Sequence, residues 1–275
     1  MPGGATEPNY AATDVNDVFI VDRKATLANI STRARVATGE QVLIGGFIIN
    51  GAAPKRLVVR AIGPSLPVGD AIADPLLELH DGSGNLISSN DNWQESANAQ
   101  EITDSTLAPS HSAEAAILTT VNPGSYTAVV RGSGESQGVA LVEVYDLEAG
   151  SDSQPANIST RGLVQSGDNV LIGGIILSGS ESRRVIVRAI GPSLPVADAL
   201  ANPVLELRDG NAALVAANDD WRSSQEAEIA ATGIPPSNNL ESAIVQTLVP
   251  ANYTAIVRGV NGTSGVALVE AYALP

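Results

Sequence analysis

One stretch of eight residues, RAIGPSLP, occurs twice in this sequence, at residues 60–67 and again at residues 188–195. Around it, residues 29–67 and 157–195 align without a gap and share 24 identical positions of 39. A repeat offset of 128 residues in a chain of 275 is the size of a whole domain. The chain is therefore expected to fold as two copies of one structural unit.

Each copy consists of short apolar runs separated by turn residues. In the first copy, residues 42–49 end at Asn50-Gly51, and residues 76–80 end at Asp81-Gly82, both strong hairpin signals. Aromatic residues make up 3% of the chain, so the core must be built from Val, Ile, Leu and Ala, a bias that favours strands. The sequence predicts an all-β protein of two tandem antiparallel β-sandwich domains, jelly-roll-like in topology.

The pattern divides the chain into four segments. They are an N-terminal extended arm or strand (1–26), the first β-sandwich repeat (27–147), a linker (148–155) and the second repeat (156–275). The linker sequence, EAGSDSQP, is small, polar and ends in proline.

The repeat offset changes from 128 to 127 within each repeat, which indicates a loop of variable length at that point. We call it the variable loop. Residues 222–232 are rich in Ala, Glu and Gln and end at Gly233, which predicts a short helix. Residues 95–106 carry a weaker form of the same signal.

Charge excludes two classes of partner. The formal net charge is −15, and such a surface repels phosphate backbones and anionic lipids, so we expect no nucleic acid and no membrane insertion. No apolar run approaches the roughly 18 residues that a membrane span requires. The chain has no cysteine, which excludes disulfides and thiolate metal sites.

The sequence also lacks the pattern of an enzyme. Its two histidines, His80 and His111, are not repeated in the second copy. Residues 134–138 match the nucleophile-elbow pattern G-x-S-x-G, but an apolar strand follows them where that elbow requires a helix. We expect a hairpin loop at this point and no catalytic residues.

Two clusters of carboxylate and amide side chains are the best candidates for a bound ion. The residues are Asp81, Asn90, Asp91 and Asn92 in the first repeat, and Asp209, Asn218, Asp219 and Asp220 in the second. Ca²⁺ binds about six to eight oxygen ligands of this kind. Asp and Asn are also the commonest turn residues, because they hydrogen-bond their own backbone. A calcium site and plain turn chemistry both remain open.

Charged residues inside the apolar strands indicate ion pairs between strands. We expect these residues to form cross-strand ion pairs that close the ends of the sandwich, and an anion-binding pair is the alternative. They are Arg60, Arg131, Glu78 and Glu143 in the first repeat, and Arg188, Arg258, Glu206 and Glu270 in the second.

Two further residue types have structural explanations. The glycine pairs at residues 45–46 and 173–174 lie within strands, where glycine marks a bulge or the close approach of another backbone. Trp93 and Trp221 are either sugar-stacking platforms or, as we expect, packing residues under the variable loop.

Part of each repeat resembles a known bacterial module. Residues 77–82 (LELHDG), 90–93 (NDNW) and 123–130 (PGSYTAVV) are similar to the pre-peptidase C-terminal (PPC) type of module, and the second copy shows the same order. Tandem modules of this kind lie at the ends of exported bacterial proteins. The resemblance implies a β-sandwich, export to the cell exterior, bound calcium and a non-catalytic accessory or surface role.

We therefore expect a non-catalytic extracellular structural or assembly module, a subunit of a cell-surface fibre or layer. Its partners would be copies of itself or other cell-surface components. The link would be the N-terminal strand Val18, Phe19, Ile20 and Val21, which resembles residues 142–145 but is apolar on both faces. The alternative is a carbohydrate- or calcium-dependent ligand-binding accessory module of a secreted protein.

Overall fold

The structure is a computed structural model that describes residues 25–39, 41–148 and 153–274. The N-terminal segment with its expected strand at residues 18–21 lies outside the described residues, as do positions 149–152 of the expected linker. Within the described part the chain forms sixteen strands and two short α-helices, which confirms the all-β prediction.

The strands correspond one to one between the repeats. The first repeat forms β1 (Thr26–Val36), β2 (Leu43–Asn50), β3 (Lys55–Ile62), β4 (Pro75–Asp81), β5 (Leu86–Asn90), β6 (Ala115–Val121), β7 (Gly124–Gly132) and β8 (Gly138–Asp146). The second forms β9 (Gln154–Val164), β10 (Leu171–Ser178), β11 (Arg183–Ile190), β12 (Pro203–Asp209), β13 (Leu214–Asn218), β14 (Ser242–Leu248), β15 (Asn252–Gly259) and β16 (Gly265–Ala273).

The short helices lie in the variable loops. They are α1 (Ala99–Asp104) and α2 (Glu226–Ala231), each preceded by a 3₁₀ turn that begins at a tryptophan. Both fall inside the helical segments predicted from the sequence. In the described part of the chain, no helix has the length and apolar character that a membrane crossing requires.

Each repeat has the strand order of a jelly roll. One row is β1-β8-β3-β6 and the facing row is β2-β7-β4-β5, with every neighbouring pair antiparallel. The second repeat reproduces both rows as β9-β16-β11-β14 and β10-β15-β12-β13. The jelly-roll prediction is confirmed.

The two repeats are not separate sandwiches, because each sheet continues from one repeat into the other. Strand β1 pairs along its outer side with β10, from Thr26↔Ser178 to Arg33↔Ile172. In the same way β9 pairs with β2, from Gln154↔Asn50 to Arg161↔Ile44. Two rows of eight strands result, which we call the two sheets, in the orders β6-β3-β8-β1-β10-β15-β12-β13 and β14-β11-β16-β9-β2-β7-β4-β5. One residue pair between β1 and β9, Arg35↔Leu163, joins the two rows into a single 16-stranded network.

This pairing corrects the expected division into two independent domains. The repeat boundaries match the strands, but β9 begins at Gln154, inside the expected linker, and is a central strand of a shared sheet. The backbone groups on one side of a strand can pair with a strand of the same repeat or of the other repeat. The apolar pattern along β1 and β9 therefore does not identify their partner strands.

The core is continuous across the repeats. Alternate residues of β2 point inward, with Leu43, Phe47 and Ile49 fully or almost fully buried, and Leu171, Ile175 and Leu177 of β10 repeat the pattern. Buried apolar residues of both repeats form a single cluster. Because one core spans both repeats, we expect them to unfold together.

Glycines lie at the seam between the repeats. A methyl group on Gly46 would lie 3.4 Å from the carbonyl oxygen of Ser159, and one on Gly174 would lie 3.4 Å from that of Ser31. Both contacts join strands of different repeats. These distances are ordinary van der Waals contacts, so the neighbouring backbone belongs to the other repeat but does not by itself require glycine at either position.

Candidate functional site

The repeated eight-residue stretch forms the end of a strand and a turn held by a buried glutamate. Glu114, fully buried, accepts hydrogen bonds on Oε1 from the backbone N–H of Gly63 (3.1 Å) and of Ser65 (3.0 Å) and from the Ser65 hydroxyl. Its Oε2 accepts from the N–H of His111 at 3.2 Å. The carboxylate therefore stabilises a fixed turn.

Glu241 makes the same contacts in the second repeat, with Gly191, Ser193 and Asn238. Sequence reasoning missed these glutamates. The available signal was their equivalence at an offset of 127 residues.

The expected cross-strand ion pairs are present in both repeats. Arg60 Nε lies 3.0 Å from Glu143 Oε2, and the two residues are direct neighbours on β3 and β8. Arg188 pairs with Glu270 on β11 and β16.

Each arginine also connects its sheet to the variable loop. Arg60 donates to the carbonyl of Leu107 at 2.7 Å, and Arg188 donates to that of Ile234 at 2.7 Å. The tyrosine two residues beyond each glutamate donates its hydroxyl to that carboxylate. These groups fasten the loop to the sheet.

Asp81 and Asp209 are engaged in tight turns. Asp81 Oδ1 accepts from the backbone N–H groups of Ser83 and Asn85, each at 2.9 Å. Asp209 Oδ1 accepts from Asn211 and Ala213 in the same geometry, also at 2.9 Å. Hydrogen bonds from Asn85 lower the pKa of Asp81. This is the turn chemistry expected as one of the two alternatives.

Asn90 and Asn218 bind the backbone of the neighbouring outer strand. Asn90 Oδ1 accepts from the N–H of Ala116 at 2.9 Å, and Asn218 Oδ1 accepts from Ala243 at 3.0 Å. Asn90 pairs with Leu77 on β4, whereas Asp81 ends that strand. Four residues along a strand correspond to about 13 Å. The structure thus does not bring Asp81 and Asn90 together around one ion.

Asp91 has a different environment. Its Oδ1 and that of Asp74 are buried atoms that accept no hydrogen bond in the described structure. Burial raises the pKa of Asp91, and the carboxylate of Asp74 raises it further. In the second repeat Asn202 stands where the first has Asp74, so Asp219 lacks this neighbouring carboxylate.

These positions leave the calcium prediction open. Within residues 25–39, 41–148 and 153–274, no group of three or more His, Cys, Asp or Glu side chains is placed to hold a metal ion. The buried oxygens of Asp91, and of Asp220 in the second repeat, are the predicted ligands with unused acceptor capacity.

The tryptophans pack beneath the variable loops. Trp221 is 3% exposed, and its Nε1 donates to the carbonyl of Asn238 at 3.1 Å. Trp93 makes the equivalent bond to His111 at 3.1 Å. The same loops lie over the outer sheet faces, where Ile102 and Ile229 are fully buried. Packing therefore accounts for Trp221, whereas Trp93 is partly exposed.

The serine of the nucleophile-elbow pattern, Ser136, lies in the loop between β7 and β8, just after a 3₁₀ turn at residues 133–135. A strand follows it, as the sequence predicted, where the elbow requires a helix. The predicted hairpin is wrong, because β7 and β8 belong to facing rows and do not pair with each other.

Side-chain amides cover one outer edge of each eight-stranded sheet. On β14, Gln225 Nε2 donates to the carbonyl of Val245 at 2.9 Å, and the N–H of Val245 donates back to Gln225 Oε1 at 3.1 Å. On β6, Asn98 Nδ2 donates to the carbonyl of Leu118 at 3.2 Å. We call β6 and β14 the covered edges.

The opposite edge of each sheet is β5 or β13, and we call these two strands the open edges. In the described part of the chain, no strand pairs with the outer side of either. Their first residues, Leu86 and Leu214, are each 56% exposed, and Ile87 is 42% exposed. They present unpaired backbone groups beside exposed apolar side chains.

No family model matches the chain, and no curated protein matches it. Among solved structures, that of Sulfolobus turreted icosahedral virus is similar at 9% identity, covering 91% of this chain and 90% of that one, with a TM-score of 0.25.

A DUF4785 family protein from Legionella pneumophila is similar at 11% identity, with coverages of 98% and 86% and a TM-score of 0.25. The STIV MCP is similar at 12% identity, with coverages of 90% and 88% and a TM-score of 0.22.

Proposed function

We propose that the chain is a non-catalytic structural module of the cell exterior, a subunit of a fibre or layer that associates with copies of itself. One observation carries the proposal. The two repeats join edge to edge by main-chain hydrogen bonds, and each resulting sheet still ends in one open edge. A protein built by pairing sheet edges can extend itself by the same interaction.

The polar residues that recur in both repeats support a structural role. Glu114 holds a turn, Arg60 and Glu143 fasten a loop, and Asn90 covers backbone groups of β6. Their second-copy equivalents do the same. The proposed location outside the cell rests on the resemblance to modules of exported proteins.

Self-association of the full chain is the direct test. We expect light scattering coupled to size exclusion to show a mass that rises with protein concentration, and negative-stain images to show regular particles larger than one chain. A single-chain mass over the whole concentration range would contradict the proposal.

The link expected from the sequence is Val18, Phe19, Ile20 and Val21, added as a strand to a neighbouring subunit, and it is the competitor of the link inferred from the folded body below. Every strand position within each jelly roll is already filled, so this segment would have to add at an outer edge. Deleting residues 1–22 should then produce monomers with an unchanged melting temperature. Assembly that persists after the deletion would exclude this link.

A calcium-dependent ligand-binding module is the second candidate. It is favoured by the unpaired, buried oxygens of Asp74 and Asp91. Melting in the presence of Ca²⁺, described below, tests its first requirement.

A further inference from the structure

The covered edges and the open edges differ in whether a strand of another molecule can pair with them. The covered edges carry amide side chains that occupy backbone donors and acceptors of β6 and β14. An edge strand occupied in this way is blocked against pairing with another chain. In the described structure no amide side chain binds β5 or β13 in this way, although the same chain covers the other two edges.

The open edges also lack the other usual protections. Natural edge strands are commonly blocked by charged residues or proline. The sequences of β5 and β13 are LISSN and LVAAN, with neither, in a chain that has 30 acidic and 15 basic residues. No charged side chain of either strand therefore opposes their pairing.

The inter-repeat seam shows that this sequence forms stable edge-to-edge pairs. Strands β1 and β10, and β9 and β2, pair over most of their length, although each pair joins two different repeats. The open edges terminate the same two sheets that cross this seam. A second copy added there would continue an existing sheet by the same interaction.

We propose that a second copy of this chain binds at the open edges, with β5 of one molecule pairing antiparallel to β13 of the next. The proposal rests on the self-association described above, and it places the link in the folded body instead of in residues 1–22. Each molecule carries one β5 and one β13, on different sheets. Head-to-tail pairing of this kind propagates into a filament, unless the rotation between successive molecules closes a ring.

Lysine substitution at matched positions tests the proposal. Leu86 and Leu214 are equivalent residues of the two open edges, each 56% exposed, so Leu86→Lys and Leu214→Lys should leave folding intact. The control is Val249→Lys in the turn between β14 and β15, which adds the same charge at a residue that is 61% exposed. Melting temperatures verify that all three variants fold.

We expect Leu86→Lys and Leu214→Lys each to reduce the assembly to the mass of one chain, while Val249→Lys assembles like the wild type. If both lysines together leave assembly unchanged, the open edges are not the link. If one lysine leaves discrete dimers, like edges pair with like and the β5–β13 arrangement is wrong.

Deleting the N-terminal segment provides a second test of the proposal. We expect the chain lacking residues 1–22 to assemble normally. If the deletion abolishes assembly while the lysine variants still assemble, the link is the N-terminal segment and the proposal is wrong. A wild-type chain that never assembles would refute the proposed function itself, which separates that failure from a wrong choice of edge.

Discussion

Thr32 and Thr160 share a hydrogen bond, with their Oγ1 atoms 2.8 Å apart and both side chains fully buried. The two residues occupy the same position in the two repeats. Equivalent atoms contact each other directly when a local two-fold axis passes between them. The repeats are therefore related like the subunits of a symmetric dimer, with the axis between β1 and β9.

Replacing one of these threonines should destabilise the protein more than replacing both. Thr32→Val leaves the Thr160 hydroxyl buried without its partner, which costs about 1–3 kcal/mol, whereas the double valine variant removes both polar groups. Urea unfolding of the two single variants and the double variant measures this difference. Additive effects in the double variant would show that the hydroxyls do not interact.

Gly162→Ala should destabilise the seam. The added methyl carbon would lie 2.7 Å from Cβ of Ala34, the equivalent residue of the other repeat. Overpacking of this kind costs about 1–3 kcal/mol. Adding Ala34→Gly to the variant should restore most of the loss in thermal or urea unfolding. Absence of any rescue would mean that the clash is not with Ala34.

Cutting the chain between the repeats should not separate them. A protease site inserted within residues 149–152 would leave every strand pair between the repeats intact. We expect the nicked protein to elute as one particle and to separate into two fragments only in denaturant. Elution of two fragments under native conditions would show that the shared sheets do not hold the repeats together.

Asp91→Asn should stabilise the protein near neutral pH. A carboxyl group whose pKa is raised by folding destabilises the folded state when ionised, and the penalty is complete above the raised pKa. The gain from the substitution should therefore shrink as the pH falls through the raised pKa of Asp91 towards the ordinary carboxyl pKa of 3.8. Melting temperatures of both proteins across this range give the measurement.

Asp219→Asn is the matched control for that series, because its repeat has no carboxylate at the position of Asp74. A similar gain in the two variants, or a gain independent of pH, would contradict the assigned cause.

Calcium, if it binds these loops, should raise the melting temperature. Binding to the folded state alone stabilises by mass action, by about 2.7 kcal/mol at a ligand concentration of 100 times the Kd. Melts in millimolar Ca²⁺ and in excess chelator test this, with Asp91→Ala and Asp219→Ala assigning the effect to a repeat. An unchanged midpoint would exclude both loops.

Local features of the sequence predicted most of the structure within each repeat. The Asp81-Gly82 hairpin, the cross-strand ion pairing of Arg60 and the short helix before Gly233 each depend on residues whose chemistry has few alternatives. The hairpin predicted at Asn50-Gly51 is wrong, because β2 and β3 lie in facing rows and do not pair with each other.

Pairing between the repeats was not predictable in this way. Strand β9 pairs with β16 of its own repeat and with β2 of the other by the same backbone groups, so its side chains do not distinguish the partners. Gly162 and Ala34 occupy the same position in the two repeats and differ by a single methyl group. That difference is too small to indicate that the two residues are in close contact. The candidate site was not predictable either, since Asp81 and Asn90 are close in sequence but lie at opposite ends of the β4–β5 hairpin.

The sheets that cross between the repeats also determine when the protein can finish folding during its synthesis. The outer sides of β1 and β2 have no partner until β9 and β10, which end at Val164 and Ser178, leave the ribosome. At typical translation rates the roughly 30 residues from position 148 to position 178 take about 2–6 s to synthesise. For that interval the nascent first repeat exposes two long unpaired strand sides, and neighbouring nascent chains on a polysome present the same pairs of strands to one another.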